Sequence, residues 1–321
     1  MSSGGSIPLI TGATGVRGLC GIFSLLELSR AVYRRVRFRY VDGYVLTYWE
    51  VEELERARSS GATGLQLAVD FGLSTIRAKL SGRRLILGDS ELSLDDLVAI
   101  EEGFAYKVLG GRLVRLDLYA SGRYYKLKPT SPRTAPTLEI SGIQMHRTVG
   151  VDPWTDSNLK VRALGPLRGA KVLDICTGLG YTAIAEVLSG ASSVLTVEVD
   201  PNVIALAQYN PWSRGLEDSR VELVLEDAAK LLKELEDSSF DAVLHDPPRI
   251  SVAGELYGLE FYRELYRVLK PGGRLFHYVG EPGKHSNVSY VKGVKRRLEM
   301  AGFVGVTWVD YARGFKAVKP R

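Results

Sequence analysis

From Lys171 onward, short apolar runs alternate with helical patterns, and this alternation constrains the fold more than any other feature of the chain. Lys171–Ile175, Ser193–Val199, Val221–Leu225, Phe240–Leu244 and Arg274–Val279 read as strands. Tyr181–Leu188, Val203–Tyr209, Ala228–Leu235, Leu259–Leu269 and Val288–Ala301 read as the helices between and after them. Strands joined through helices pair in parallel, which predicts an α/β architecture with a doubly wound sheet. Val304–Val309 and Phe315–Val318 close the chain with too short a connection for a crossover, so that pair is expected to be antiparallel.

The residues before Lys171 follow another pattern. Val36–Tyr48 alternates around Asp42-Gly43, which predicts a hairpin. Glu50–Ser59 and the Ser-capped, acid-led Ser93–Glu102 read as helices. Leu65–Asp70, Thr75–Leu80, Arg84–Leu87, Leu113–Tyr119 and Tyr124–Leu127 read as strands. The expected organisation is a flexible or loosely docked terminus over residues 1–30 and a small α+β domain over 31–127. A proline-bearing linker over 128–144 then leads to the doubly wound domain over 145–321. Thr11-Gly12-Ala13-Thr14-Gly15-Val16-Arg17-Gly18 imitates a dinucleotide loop, but Pro8 interrupts the only apolar run before it and no βαβ unit follows.

The sharpest chemical signal is Asp174-Ile-Cys-Thr177-Gly178-Leu-Gly180, between the first strand and helix of the sheet. Glycines there let the backbone approach a ligand at a helix N-terminus. Gly178-Leu-Gly180-Tyr-Thr-Ala183 also fits the dinucleotide pattern, with Glu198 20 residues after Gly178. Charge separates the two readings. A carboxylate at Asp174 would repel a pyrophosphate and attract an ammonium. Glu198, ending the second strand, is placed to accept from two ribose hydroxyls, and Asp227, after the third, from an adenine amino group. S-adenosylmethionine carries an ammonium, a sulfonium and no phosphate, which suits three such acids. The alternative is that they only cap helices.

Asp174-x-x-Thr-Gly-x-Gly, Glu198-Val-Asp200-Pro201 and Glu226-Asp227-Ala228, with the final antiparallel strands, resemble the class I S-adenosylmethionine-dependent methyltransferases over about residues 145–321. Met145-His146-Arg147-Thr148, Asn210-Pro211-Trp212-Ser213-Arg214, His245-Asp246-Pro247-Pro248-Arg249 and Phe276-His277-Tyr278-Val279-Gly280 are more closely similar to an archaeal family of methyltransferases with no assigned substrate. The resemblance implies a Rossmann-like sheet whose last strand is antiparallel. It also implies S-adenosylmethionine as cofactor, held by Asp174, Thr177, Gly178, Gly180, Glu198 and Asp227. His245–Arg249 resembles the D/N-P-P-Y/F/W motif of enzymes that methylate amino nitrogens. There the acid, here Asp246, and the prolyl carbonyl, here Pro247, hold the nucleophile's lone pair towards the methyl group. Arg249 stands where an aromatic would stack on a base, and suits a substrate phosphate or carboxylate instead. His245 is expected to take a proton, with Tyr257 and His277 beside the substrate. The competing reading of either histidine is a bond to nearby backbone alone. Tyr181 and Trp212 read equally as pocket walls or as core.

Methyl transfer, to nitrogen first, is therefore the expected reaction. Asp246 through Gly254-Glu255-Leu256-Tyr257 to Glu260-Phe261-Tyr262 is also similar to the corresponding loop of aminopropyltransferases such as spermidine synthase. Those enzymes use decarboxylated S-adenosylmethionine on a polyamine, and this is the alternative. A nucleic-acid-binding protein with an inactive domain is the second alternative. The net charge of +5 resides in residues 1–150, which hold 20 Lys and Arg against 15 Asp and Glu. Arg30, Arg34, Arg35, Arg37 and Arg39, interleaved with Tyr33, Phe38 and Tyr40, suit phosphate contact with base stacking, or a solvated face. RNA is accordingly the expected partner. Cys20 and Cys176 are too few for a disulfide framework or a zinc site, so no metal is expected and the cytoplasm is the expected compartment. No run approaches the roughly 18 apolar residues of a membrane span.

Overall fold

The computed structural model describes residues 17–18, 33–280 and 288–321. Apart from Arg17–Gly18, the terminus expected over 1–30 lies outside the described residues, as does Arg30. Eight strands form the main sheet: β1 (Arg35–Val36), β2 (Lys171–Ile175), β3 (Ser193–Glu198), β4 (Val221–Leu225), β5 (Phe240–His245), β6 (Leu269–Tyr278), β7 (Val304–Val309) and β8 (Gly314–Val318). Their order is β7-β8-β6-β5-β2-β3-β4-β1. From β4 to β6 the pairing is parallel, while β8 runs antiparallel to both β6 and β7. This is the Rossmann-like arrangement expected from the alternation of patterns.

Side chains alternate across each strand, and the two faces bury different layers. Val172, Val194, Leu223 and Ala242 share a core with residues of α1 (Pro153–Leu164), α2 (Tyr181–Leu188) and α3 (Pro201–Ala207). Leu173, Leu195, Val224 and Val243 share another with α4 (Ala228–Glu234), α5 (Leu259–Val268) and α6 (Val288–Met300). Asp152, Asp200 and Asp227 cap α1, α3 and α4 by accepting backbone N–H bonds, and Pro153 and Pro201 occupy first-turn positions whose N–H would have no partner. No helix among the described residues is long and apolar enough to cross a membrane.

Residues 45–144 build three smaller sheets. Gly64–Val69, Ser74–Ser81, Arg84–Leu87 and Ser90–Ser93 form a meander; of the helix expected over Ser93–Glu102, only Leu94–Leu97 is α-helical. The hairpin expected over Val36–Tyr48 does not form. Arg35–Val36 instead edges the main sheet along Leu223 and Val224, and Val45–Thr47 pairs with Ala105–Lys107. Gly43 marks a close approach: at its φ of +135°, a Cβ would lie 2.5 Å from the Val108 carbonyl oxygen. The stretch expected as a linker is also structured. Thr137–Ile140 and Ile143–Gln144 extend the sheet of Asp117–Ala120 and Arg123–Lys128, with Thr137 and Leu138 buried. Phe38, Leu116, Tyr125 and Leu127 then pack into the same core as α1 and α2, and Tyr125 Oη donates to Asp200 Oδ2 at 2.6 Å.

Candidate active site

The winding of the sheet reverses at β2, with β3 and β4 to one side and β5 and β6 to the other. Doubly wound sheets open a ligand crevice at the carboxyl ends of their strands at such a point. Two segments border it here, one after β2 and one after β5.

The first segment is braced from below. Asp174 is fully buried, and its Oδ2 accepts from Thr196 Oγ1 at 2.6 Å. Thr196 Oγ1 is in turn 2.7 Å from Thr177 Oγ1. Burial pushes the Asp174 carboxyl up to about 7. Asp174 and Thr177, expected to hold the cofactor, are thus sealed beneath the loop and order it; the side chain of Asp174 does not border the crevice. At Gly180 (φ +79°) a Cβ would lie 2.5 Å from Leu216 Cδ1, so this glycine serves packing. At Gly178 (φ +55°) a Cβ would meet nothing within 4 Å, so here the backbone faces open space. Glu198, 9% exposed, accepts the Gly178 N–H on Oε2 and those of Val199 and Asp200 on Oε1, at 2.9–3.0 Å. Asp227, half-buried, caps α4 through the N–H groups of Ala229 and Lys230.

The second segment holds a buried ion pair. Asp246 is 15% exposed, and its Oδ2 accepts from Lys160 Nζ at 2.7 Å. No described residue bonds Oδ1. Lys160, 1% exposed on α1, also meets Asp156 Oδ2 at 3.0 Å and lies 4.1 Å over the Tyr278 ring. Burial disfavours the lysine's charge, but Asp246 and Asp156 outweigh it and hold its pKa above the ordinary value. Arg147 donates to Asp156 Oδ1 at 3.1 Å and to the Tyr311 carbonyl at 3.0 Å. Sequence reasoning misses Lys160 entirely.

The histidines fit the competing reading, that of bonds to nearby backbone, rather than proton transfer. His245 and His277 are fully buried and stack with ring centroids 4.4 Å apart. His245 Nε2 is 2.9 Å from the Leu256 carbonyl, and His277 Nε2 is 2.9 Å from Tyr262 Oη. Burial lowers the pKa of His245 to about 4 and that of His277 well below its ordinary value, so neither takes a proton near neutrality. Tyr257 is 2% exposed and donates to the Pro248 carbonyl at 2.8 Å. His245, Tyr257 and His277 therefore lie inside the fold, where they support the loop after β5. Pro247 is buried beside Asp246, and Arg249 is exposed. Tyr181 is core, with its hydroxyl donating to the Pro136 carbonyl at 2.9 Å, while Trp212 is half-buried with its ring 5.6 Å from Trp154.

Comparison with known proteins sharpens this picture. Residues 168–306 match the family model described as a spermine/spermidine synthase domain. An uncharacterized protein of Methanocaldococcus jannaschii, MJ1233, is 48% identical over 235 residues, which cover 73% of this chain and 80% of that protein. Polyamine aminopropyltransferase 2 of Streptomyces coelicolor is 35% identical over 185 residues, 51% of this chain but only 33% of that protein. A spermidine synthase solved in complex with the transition-state analogue AdoDATO shares the fold, with a TM-score of 0.50 at 21% identity, over 63% of this chain and 71% of that one. The expected methyl transfer, with S-adenosylmethionine as cofactor, is overturned by the synthase match. The loop from Asp246 to Tyr262 lies within the matched residues, as do residues 174–180, Glu198 and Asp227. The chain belongs to one family with the M. jannaschii protein, its residues 168–306 are similar to a spermine/spermidine synthase domain, and its main sheet has the Rossmann-like class I methyltransferase fold.

Proposed function

We propose that this protein transfers an aminopropyl group from decarboxylated S-adenosylmethionine to an amine nitrogen of a polyamine. The observation that carries the reading is Asp246 at the reversal of the sheet, within the segment that matches the synthase model. The donor would bear an ammonium and a sulfonium but no carboxylate, and the acceptor is a polycation. Both favour an edge that presents acid side chains. The open backbone at Gly178 leaves room for the donor, whose ribose and adenine this reading assigns to Glu198 and Asp227.

In the reaction, the acceptor nitrogen's lone pair attacks the aminopropyl carbon bonded to sulfur. The carbon–sulfur bond breaks, and its electron pair leaves with methylthioadenosine. The new ammonium then gives up a proton to Asp246 or water. Because the nucleophile must arrive neutral and in line, an acceptor oxygen at Asp246 Oδ1 contributes chiefly by orientation and by receiving the proton. The test is incubation with decarboxylated S-adenosylmethionine and putrescine or spermidine, followed by mass spectrometry. Methylthioadenosine with an amine one aminopropyl group heavier is expected. Absence of both with either amine sinks the reading.

A further inference from the structure

The buried ion pair at the crevice does more than fasten α1 to the sheet. Lys160 is 1% exposed, so it cannot touch an acceptor and can act only through its partners. It approaches Asp246 Oδ2 at 2.7 Å and Asp156 Oδ2 at 3.0 Å, while Arg147 holds the other oxygen of Asp156. Occupying Oδ2 fixes the rotation of the Asp246 carboxylate and leaves Oδ1 without a partner among the described residues. Building on the aminopropyl-transfer reading, we propose that Lys160 is a positioning residue. It keeps Asp246 charged, with Oδ1 open to the acceptor amine, and Asp156 and Arg147 set the share of its charge that Asp246 receives.

The surroundings make this balance specific. Around the pair stand Asp156 on α1, His146 and Arg147 before it, Tyr278 at the end of β6, Asp174 on β2, Cys176 in the loop after β2 and Tyr257 in the segment after β5. Burial raises the Asp246 pKa, Lys160 opposes that rise, and Asp156 adds to it as a like charge. Removing Lys160 and removing the charge of Asp156 should therefore shift Asp246 in opposite directions. A role confined to holding the fold together predicts no such opposition.

The experiment measures two things on the full chain: the pH profile of kcat/KM with decarboxylated S-adenosylmethionine and spermidine, and the titration of Asp246 by NMR of selectively labelled aspartate without substrate. Lys160→Met should raise the Asp246 midpoint by about 1–3 pH units and carry the acid limb of activity with it. Asp156→Asn should move both to lower pH, and Lys160→Arg should leave both near the wild-type values. If Lys160→Met and Asp156→Asn lower the rate without moving the limb or the midpoint, Lys160 is only structural and the inference fails. If Lys160→Met does not fold, Asp156→Asn decides: a midpoint that stays put overturns it. If wild type transfers no aminopropyl group, the functional reading fails by itself, and the NMR titration still decides whether Lys160 governs Asp246.

Discussion

The two segments that border the crevice bury a carboxylate each, and they do so in opposite ways. Near the end of β2, Asp174 accepts from the Thr196 hydroxyl, and burial pushes its carboxyl up to about 7. After β5, Asp246 lies against the ammonium of Lys160, which opposes the effect of burial. Burial raises both carboxyls, but only Asp246 holds a direct ion pair that opposes the rise. The difference teaches that acids at neighbouring strand ends need not share a task. One braces the loop, and the other is the acid that the proposed reaction assigns to the acceptor amine.

The comparison is tested most severely by removing each charge. Asp246→Asn should lower turnover by about 10²–10⁴-fold, the usual range for a proton-handling group, while methylthioadenosine affinity stays close to wild type. Asp174→Asn should cost far less turnover. Equal losses in steady-state kinetics would erase the distinction between the two segments.

The glycines of the first segment offer a smaller but cleaner contrast. Gly180→Ala places a Cβ 2.5 Å from Leu216 on a backbone of positive φ, and should destabilise the fold by about 2–4 kcal/mol in urea unfolding. Gly178→Ala has the strain without the clash, so about 1 kcal/mol is expected, with weaker donor binding by calorimetry. A reversed order would mean that the open side of the loop lies at Gly180.

Much of the main sheet is legible in the amino-acid sequence. Strands buried on both faces read as continuous apolar runs, and β2, β4 and β7 have the bounds expected from the sequence. Helix α1 is not. Its buried stripe of Pro153, Asp156, Ser157, Lys160, Val161 and Leu164 has helical spacing, but polar residues occupy half of it, so no apolar period shows. Lys160 is lost with it, because an ion pair joining residues 160 and 246 leaves no local trace. The hairpin reading of Val36–Tyr48 fails for the same reason. Its two halves pair with Leu223–Val224 and Ala105–Lys107, and alternation alone does not name a partner.

Proton linkage separates the two segments again. The Asp174 carboxyl titrates near 7 when folded and about 3.9 when unfolded. Between those values the native state holds a proton that the unfolded chain has released, so the contribution of Asp174 is greatest below pH 4 and is lost as pH rises towards 7. Asp174→Asn abolishes that loss. Relative to wild type it should gain stability, on the order of 4 kcal/mol, between pH 4 and pH 8 in urea titrations. No change in the difference between the two proteins across that range would mean that Asp174 is ionised in the fold.

The smallest expected effect lies furthest from the crevice. Arg34, Arg37 and Arg39 are exposed, and Arg35 pairs with Glu222 at the rim of the sheet. A polyamine acceptor is itself a polycation, so it gains nothing from these arginines. Replacing Arg34, Arg37 and Arg39 with glutamine should change stability by no more than about 0.5 kcal/mol, the usual scale for surface substitutions, and leave aminopropyl transfer unaltered. The same proteins titrated with RNA across a salt series address the partner suggested by the arginine-rich stretch. Binding that weakens steeply with salt in wild type, and less so in the variant, would show phosphate contacts at these residues. Loss of turnover in the variant would be the more damaging result. It would tie the basic rim to the acceptor and replace a contrast between two carboxylates with one between a cationic and an anionic surface.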